Sequence, residues 1–327
     1  MMQPDPVYYV GIDVGGTHLR AALFAASSGV ALAARQEDTL AREGHAAVLA
    51  RIAALARAVA AAGGARPEQV RGVGLGLPGR LDPQRGVVEF LPNLPGNWVG
   101  VPAAPLLAAA LGWPVRLIND ARAATLGEWA YGAGRGAATV ACFTLGTGIG
   151  GGLVINGRLH LGFNGTAGEL GHQVIDVYGP PCGCGGRGCL EAFASGPAIT
   201  ALGVKAVLQG LTTQIGARVD YDLNRITPQV MAEAALAGDA VAAEIFERVG
   251  EYLGIGVANI VIAIGPQRVI IAGGVARLGE LLLAPIRRTL RERVHLAPAE
   301  LVEIVTAQLG GEAGLVGAAV WAGTGDI

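Results

Sequence analysis

The run from Tyr8 to Val14 is β-branched and aromatic and stops at Gly15-Gly16-Thr17, after which an extended pattern resumes from Leu19 to Phe24. That pattern predicts a strand, a glycine turn and a second strand, with a third strand near Val30 to Gln36. From Gly44 to Ala62 the apolar residues Val48, Ile52, Leu55 and Val59 recur at helical spacing, and Gly63-Gly64 stop the helix. Val70 to Leu77 reads as a strand closed by Pro78-Gly79. Pro102 to Leu111 reads as a helix, Val115 to Asn119 as a strand, and Ala121 to Tyr131 as the helix that follows it.

The second half repeats this grammar. Thr139 to Leu145 predicts a strand, Gly146-Thr147-Gly148 a glycine turn, and Ile149 to Ile155 another strand, with Asn156-Gly157 as its hairpin turn. Helices follow over Pro228 to Ala237 and Ala240 to Ile264, then a strand over Arg268 to Ala272, the pair Gly273-Gly274, and a helix from Leu278 to Glu292. Two halves that each open with strand, glycine turn and strand imply a duplicated α/β domain with a cleft between the copies. The duplication rests on pattern, not on sequence identity.

Composition narrows the function classes. The chain of 327 residues is long enough for two cores; it is 52% apolar and 15% charged, with 52 glycines and a net charge of −2. No basic tail or patch stands out, which argues against nucleic acid as a partner. Met1 to Pro6 lacks a basic segment followed by an apolar one, and the run Leu253 to Ile264 is too short to span a bilayer, so a cytoplasmic protein with reduced thiols is expected.

The densest chemistry lies between Glu169 and Glu191. Glu-Leu-Gly-His172 is followed by Cys182, Cys184 and Cys189, three of the chain's four cysteines. Three thiols and an imidazole close a tetrahedral zinc site with no position left for water, which is a structural site. Cys182 and Cys184, one residue apart, are poorly placed for a disulfide.

Two other features carry chemistry. Asp13-Val-Gly-Gly-Thr17 and Leu145-Gly-Thr-Gly-Ile-Gly-Gly-Gly152 are turns stripped of side chains, where backbone N–H groups can hold phosphate oxygens. A glycine turn is often only a turn, but two in matching positions with Gly273-Gly274 as a third fit a nucleotide lying across a cleft. Asn119-Asp120 sits where a strand meets a helix. Asp120 there either accepts a proton from an alcohol or caps the helix, and spacing leaves both readings open.

These residues together resemble the ROK family of sugar kinases and sugar-responsive repressors, within the actin-like, hexokinase-type ATPase superfamily. The resemblance covers almost the whole chain. It runs through Asp13-Val-Gly-Gly-Thr17, Gly76-Leu-Pro-Gly79, Asn119-Asp120, Gly146-Thr-Gly-Ile-Gly150, Glu169-Leu-Gly-His172, the cysteine loop with Leu-Glu191, and Gly273-Gly-Val275. The tail Gly311 to Ala319 resembles the family's last helix, which returns to the N-terminal domain.

The resemblance implies two actin-like (ribonuclease H-like) α/β domains: a smaller one of residues 1–119 and 312–327, and a larger one of residues 120–311 carrying the zinc loop. It implies ATP-dependent phosphorylation of a hexose at its 6-hydroxyl, with glucose first, and Asp120 as general base. Asp13 would face Mg²⁺ and the phosphates, which Gly15, Gly16 and Thr17 hold from one side and Gly146, Thr147 and Gly148 from the other, with Gly273 and Gly274 also on the nucleotide. Asn119, Glu169, His172 and Glu191 would hydrogen-bond the sugar, with Gly79 and Arg80 closing over it. His172 would bind zinc through one ring nitrogen and a sugar hydroxyl through the other. A homo-oligomer, dimer or tetramer, is expected.

Two alternatives stay in view. One keeps the kinase and changes the sugar to N-acetylmannosamine, N-acetylglucosamine, mannose, fructose or allose. The other is a non-catalytic, sugar-sensing ROK protein. Repressors of the family carry a helix-turn-helix segment before the first strand, whereas twelve residues precede Asp13 here, so a kinase is expected.

Overall fold

The structure is a computed structural model that describes residues 5–91 and 94–324. Residues 1–4, the start of the segment read for a leader, and 325–327, the end of the expected smaller domain, lie outside the described residues.

In chain order the elements are β1 (Tyr8–Val14), β2 (His18–Ala25), β3 (Ala31–Asp38), α1 (His45–Ala62), β4 (Val70–Leu77), β5 (Arg80–Asp82), β6 (Val87–Phe90), α2 (Ala103–Leu111), β7 (Val115–Asn119) and α3 (Asp120–Tyr131). Then come β8 (Val140–Leu145), β9 (Ile149–Ile155), β10 (Arg158–Leu159), α4 (Glu191–Ala194), α5 (Gly196–Leu208), α6 (Pro228–Leu236) and α7 (Ala240–Ile264). The chain closes with β11 (Arg268–Ala272), α8 (Glu280–Arg293), β12 (Glu303–Thr306) and α9 (Ala313–Gly323). Elements with clear periodicity fall within two residues of their expected ends. The helix expected from Leu278 begins at Glu280, because Val275–Leu278 forms a 3-10 turn that ends on Gly279 at φ 59°. The hairpin of β5 and β6, helices α4 and α5, and β12 were not read from the sequence; the strands are too short for a period to show.

Two sheets share one topology. The first has the order β3-β2-β1-β4-β7 and the second β10-β9-β8-β11-β12. In the first, β1 runs antiparallel to β2, pairing Asp13 with Arg20, and parallel to β4, pairing Ile12 with Leu75; β4 is parallel to β7, pairing Leu77 with Asn119. In the second, β11 is parallel to both β8 and β12.

The chain divides into two compact units: Met1–Gly136 with Gly152–Gly168 and Gln308–Ile327, and Ala137–Gly151 with Glu169–Ala307. This differs from the boundary expected at 119/120. Helix α3 belongs to the first unit because it packs along α9, so the unit carrying the cysteine loop is the shorter of the two.

Within the first unit, α1 is the one described helix long and apolar enough to cross a bilayer by length and composition. Val48, Ile52, Leu55 and Val59 are each 0% exposed in the core beside Ile12 and Leu75, so it is a core helix. Burying each such side chain stabilises the fold by about 1.5–3 kcal/mol. The abundance of glycine has a packing reason here. A Cβ on Gly74 would stand 1.8 Å from the Ala318 carbonyl oxygen, and one on Gly317 would stand 1.7 Å from that of Ala123. Backbone therefore lies against backbone, and α9 packs directly on the sheet and on α3. Trp321 at its end donates from Nε1 to the Leu117 carbonyl at 2.9 Å, beneath the Arg116 guanidinium 4.2 Å from the ring centre.

Glu128 of α3 is fully buried, and its carboxylate accepts the backbone N–H groups of Ala133 at 2.9 Å, Gln308 at 3.0 Å and Leu309 at 2.7 Å. A buried charge requires such partners.

Candidate active site

In the first unit the candidate site residues lie at strand ends and the turns beside them. Asn119, the last residue of β7, is the N-cap of α3: its Oδ1 accepts from the N–H groups of Ala121 at 3.0 Å and Arg122 at 3.2 Å. Its Nδ2 donates to the Gly79 carbonyl at 3.1 Å, which ties the Pro78-Gly79 corner to the head of the helix. Gly79 sits at φ 82°, a conformation that favours glycine. Asp120 is the first residue of the helix; it is exposed, and its Oδ1 accepts from the Ala121 N–H at 2.8 Å. The N-cap of α3 is thus Asn119, with Asp120 sharing the Ala121 N–H from the first turn. Arg80 turns along β5 to pair with Glu89 at 2.7 Å.

The first glycine turn is held by side chains of the same unit. The Gly15 N–H donates to the His18 carbonyl at 2.9 Å, the Gly15 carbonyl accepts Thr39 Oγ1 at 2.7 Å, and the Thr17 carbonyl accepts the Thr39 N–H at 2.8 Å. Gly15, Gly16 and Thr17 remain exposed. Asp13 pairs with Arg20, whose Nη1 also donates to the Gly311 carbonyl at 2.8 Å. Sequence reasoning missed Arg20 and Thr39. Their alignment with Asp13 and Thr17 is a matter of strand register and loop return, which no motif encodes.

The second unit holds the cysteine cluster. The ligand atoms of His172, Cys182, Cys184 and Cys189 all lie within 4.8 Å of one another. His172 Nδ1 is 3.7 Å from Cys182 Sγ, and Cys184 Sγ is 3.7 Å from Cys189 Sγ. A tetrahedron with metal–sulfur bonds of about 2.3 Å has edges of about 3.8 Å, so the donor set fits a zinc ion in number, type and spacing. The imidazole faces the cluster through Nδ1, which leaves Nε2 on the other side of the ring for a ligand.

Burial pushes the Cys189 thiol up to about 12, with hydrogen bonds from the other two thiols adding to it, and burial also raises Cys182. The Gly186 N–H lowers Cys184. A metal ion would displace the protons of all three thiols on binding. The loop bends where glycine is required: Gly188 lies at φ 73°, and a Cβ there would stand 1.7 Å from the Asp176 carbonyl.

Glu191 opens α4 next to this cluster. Its Oε2 accepts the Ile149 N–H at 2.8 Å, and its Oε1 lies 3.6 Å from Cys182 Sγ. Glu169 is exposed, and its carbonyl accepts the His172 N–H at 3.0 Å.

Beside the second glycine turn lies an open groove of about 920 Å³, lined among others by Gly146, Thr147, Thr200, Lys205, Gln229 and Gly274. Gly273, at φ 91°, packs against the end of β8, where a Cβ would stand 2.2 Å from the Leu145 carbonyl. Helix α5 supplies much of this wall, and sequence reasoning passed over it. Ser195 as its N-cap, with Pro197 in the first turn, was the signal available. Lys205 had a signal too, as the single lysine of the chain.

The site residues read from the sequence therefore divide. Asp13, Gly15, Gly16, Thr17, Gly79, Arg80, Asn119 and Asp120 belong to the first unit. Gly146, Thr147, Gly148, Glu169, His172, the three cysteines, Glu191, Gly273 and Gly274 belong to the second.

Comparison with known proteins gives the same family. The chain is 38% identical over 313 residues to a glucokinase of Thermotoga maritima, covering 95% of each chain. It is 34% identical over 251 residues to a xylose repressor of Caldicellulosiruptor bescii, covering 77% of this chain and 62% of the repressor. Among solved structures, a ROK hexokinase from Thermus thermophilus superposes with a TM-score of 0.80 at 35% identity, over 97% of this chain and 98% of that one. A ROK family glucokinase from Streptomyces griseus, in complex with glucose and AMPPNP, gives 0.79 at 34% identity, over 97% and 100%. The ROK family profile spans residues 9–324, and with the actin-like α/β fold and the cysteine-histidine cluster in place, the chain belongs to the ROK family.

Proposed function

We propose that the protein is a cytoplasmic sugar kinase that transfers the γ-phosphoryl group of ATP to the 6-hydroxyl of a hexose, with glucose as the preferred acceptor. The observation that carries the reading is the division of labour at the end of β7. Asn119 caps α3 and holds Gly79, and Asp120 presents an exposed carboxylate at the same corner. Asp120 would take the hydroxyl proton as the oxygen attacks the γ-phosphorus and ADP leaves, a contribution of about 10²–10⁴ in rate.

Asn119 Nδ2 carries a second hydrogen for the sugar. Glu169, His172 Nε2 and Glu191 suit the remaining hydroxyls, since a carboxylate accepts a hydroxyl proton in a charge-assisted bond. Gly79 and Arg80 would close over the ring. The exposed turn at Gly15 to Thr17, the turn at Gly146 to Gly148 and the Gly273-Gly274 pair suit the phosphates, and the groove along α5 suits the rest of the nucleotide.

Asp13 offers Mg²⁺ a carboxylate, one oxygen of which is committed to Arg20. That fits an ion that takes one or two carboxylates and fills its other positions with phosphate and water. When bound, Mg²⁺ neutralises charge on the phosphates. Zinc at His172, Cys182, Cys184 and Cys189 would hold the imidazole in one orientation. A homo-oligomer is part of the same reading.

Steady-state kinetics over glucose, mannose, fructose, allose and the two N-acetylhexosamines test the acceptor, with glucose expected to give the highest kcat/KM. A higher value for another sugar would move the substrate while keeping the enzyme, and absence of turnover with every sugar would return the protein to the sugar-sensing reading that the repressor relatives represent. The nucleotide groove has its own test. Lys205 should be the one side-chain amine that a lysine-directed reagent modifies, and ATP should protect it.

A further inference from the structure

The segment that carries the metal ligands also grips the second glycine turn, at three points. Glu191, two residues after the ligand Cys189, accepts the Ile149 N–H at 2.8 Å, immediately beyond the turn. The Gly196 N–H, one turn of chain later, donates to the Gly146 carbonyl at 2.8 Å. Gly171, the neighbour of His172, is pressed against β9 so closely that a Cβ would stand 2.0 Å from the Ile149 carbonyl. Gly148 faces the same carboxylate: a Cβ there would lie 2.5 Å from Glu191 Oε2.

We infer that Glu191 is a positioning residue for the nucleotide, a strut that transmits the geometry of the Cys182-Cys184-Cys189-His172 cluster to the phosphate-holding turn at Gly146 to Gly148. Its backbone is fixed two residues after the ligand Cys189 and its Oε1 lies 3.6 Å from Cys182 Sγ, so the side chain spans the distance between the ligand segment and the turn. The chain itself carries the coupling once the thiols have lost their protons to a metal. The backbone N–H groups of a phosphate site act only if their directions are fixed before the anion arrives. A free turn of three small residues would not hold those directions. Here one charged acceptor, one backbone bond and one close packing contact do so, and all three come from chain that the four ligands organise. Metal occupancy is thereby coupled to ATP affinity as well as to sugar affinity.

The inference rests on reading the Gly146 turn as a phosphate site, and the experiment separates the two. The affinity of a non-hydrolysable ATP analogue is measured without sugar, by calorimetry, for the parent, Glu191→Ala, Glu191→Gln, Gly146→Val and the parent stripped of metal by a chelator, with circular dichroism as the folding check. Gly146→Val should abolish analogue binding. Glu191→Ala should weaken it about tenfold, the scale of a lost hydrogen bond to a charged group. Glu191→Gln, which keeps an oxygen for the Ile149 N–H, should restore most of it. Stripping metal should weaken binding in the parent and add little in Glu191→Ala.

Parent-like analogue affinity in Glu191→Ala, with Gly146→Val still defective, would overturn the strut while leaving the phosphate site intact. Unchanged affinity in Gly146→Val would remove the phosphate site and the strut together. Should Glu191→Ala fail to fold, Gly148→Ala presses on the same carboxylate from the turn, and it must then lower analogue affinity for the inference to stand.

Discussion

The hairpin that opens the first sheet and the hairpin that opens the second occupy equivalent places in one strand order, and both turn on glycine. They are braced by different means. The Gly15 turn is held by Thr39, whose hydroxyl and N–H bind two of its carbonyls, and by the Asp13–Arg20 pair across β1 and β2. Asp13 and Arg20 face each other on paired strands, and Thr39 is fully buried. The Gly146 turn is held by Glu191 and by the Gly196 N–H, from the segment that carries the four-residue cluster. One scaffold thus carries a turn that stands on its own core and another braced by the segment that carries the cysteine–histidine cluster. The first should respond only to changes in packing and hydrogen bonding, and the second also to chelators.

The comparison can be broken or sharpened in four ways. The largest effect is expected at the first unit's strand end. Asp120→Asn should lower kcat by at least about 100-fold, the scale of a lost general base, with sugar affinity and thermal midpoint close to the parent. A variant that keeps most of its kcat would remove Asp120 from the chemistry.

The second unit should answer most strongly to its metal. One zinc per chain should be found by elemental analysis, and Cys184→Ala should lose it, weakening sugar binding about 10–100-fold, the usual scale for groups that orient functional residues at a metal site. Full sugar affinity in a metal-free protein would separate the cluster from the site.

Next comes Glu128→Ala, which should destabilise the fold by about 3 kcal/mol or more, because three backbone N–H groups lose one buried acceptor. Chemical denaturation measures it, and a midpoint within error of the parent would show that water replaces the carboxylate. The smallest effect is expected for Thr39→Val. It should cost about 1 kcal/mol, the net worth of one hydroxyl bond to the Gly15 carbonyl, and a chelator should not enlarge the loss. If metal removal and Thr39→Val proved non-additive, the two braces would not be independent.

Periodicity alone located most of the helices and long strands, because the apolar stripe at Val48, Ile52, Leu55 and Val59 and the β-branched runs at Tyr8 and Val70 are local signals. The cluster of His172 and three cysteines was legible for the same reason: ligand type and spacing sit within one short stretch. The family followed from motifs of that kind. Tertiary structure decided which group does what at each motif. It gave the cap of α3 to Asn119 instead of Asp120, turned Arg80 onto Glu89, and set Arg20 opposite Asp13. It also placed α3 with the first unit, through glycines that let α9 lie against it. Bonds such as Glu191 to the Ile149 N–H and Glu128 to the Gln308 N–H join residues far apart in sequence. Their partners are chosen by strand register and helix packing, and neither leaves a mark on the residues near either end.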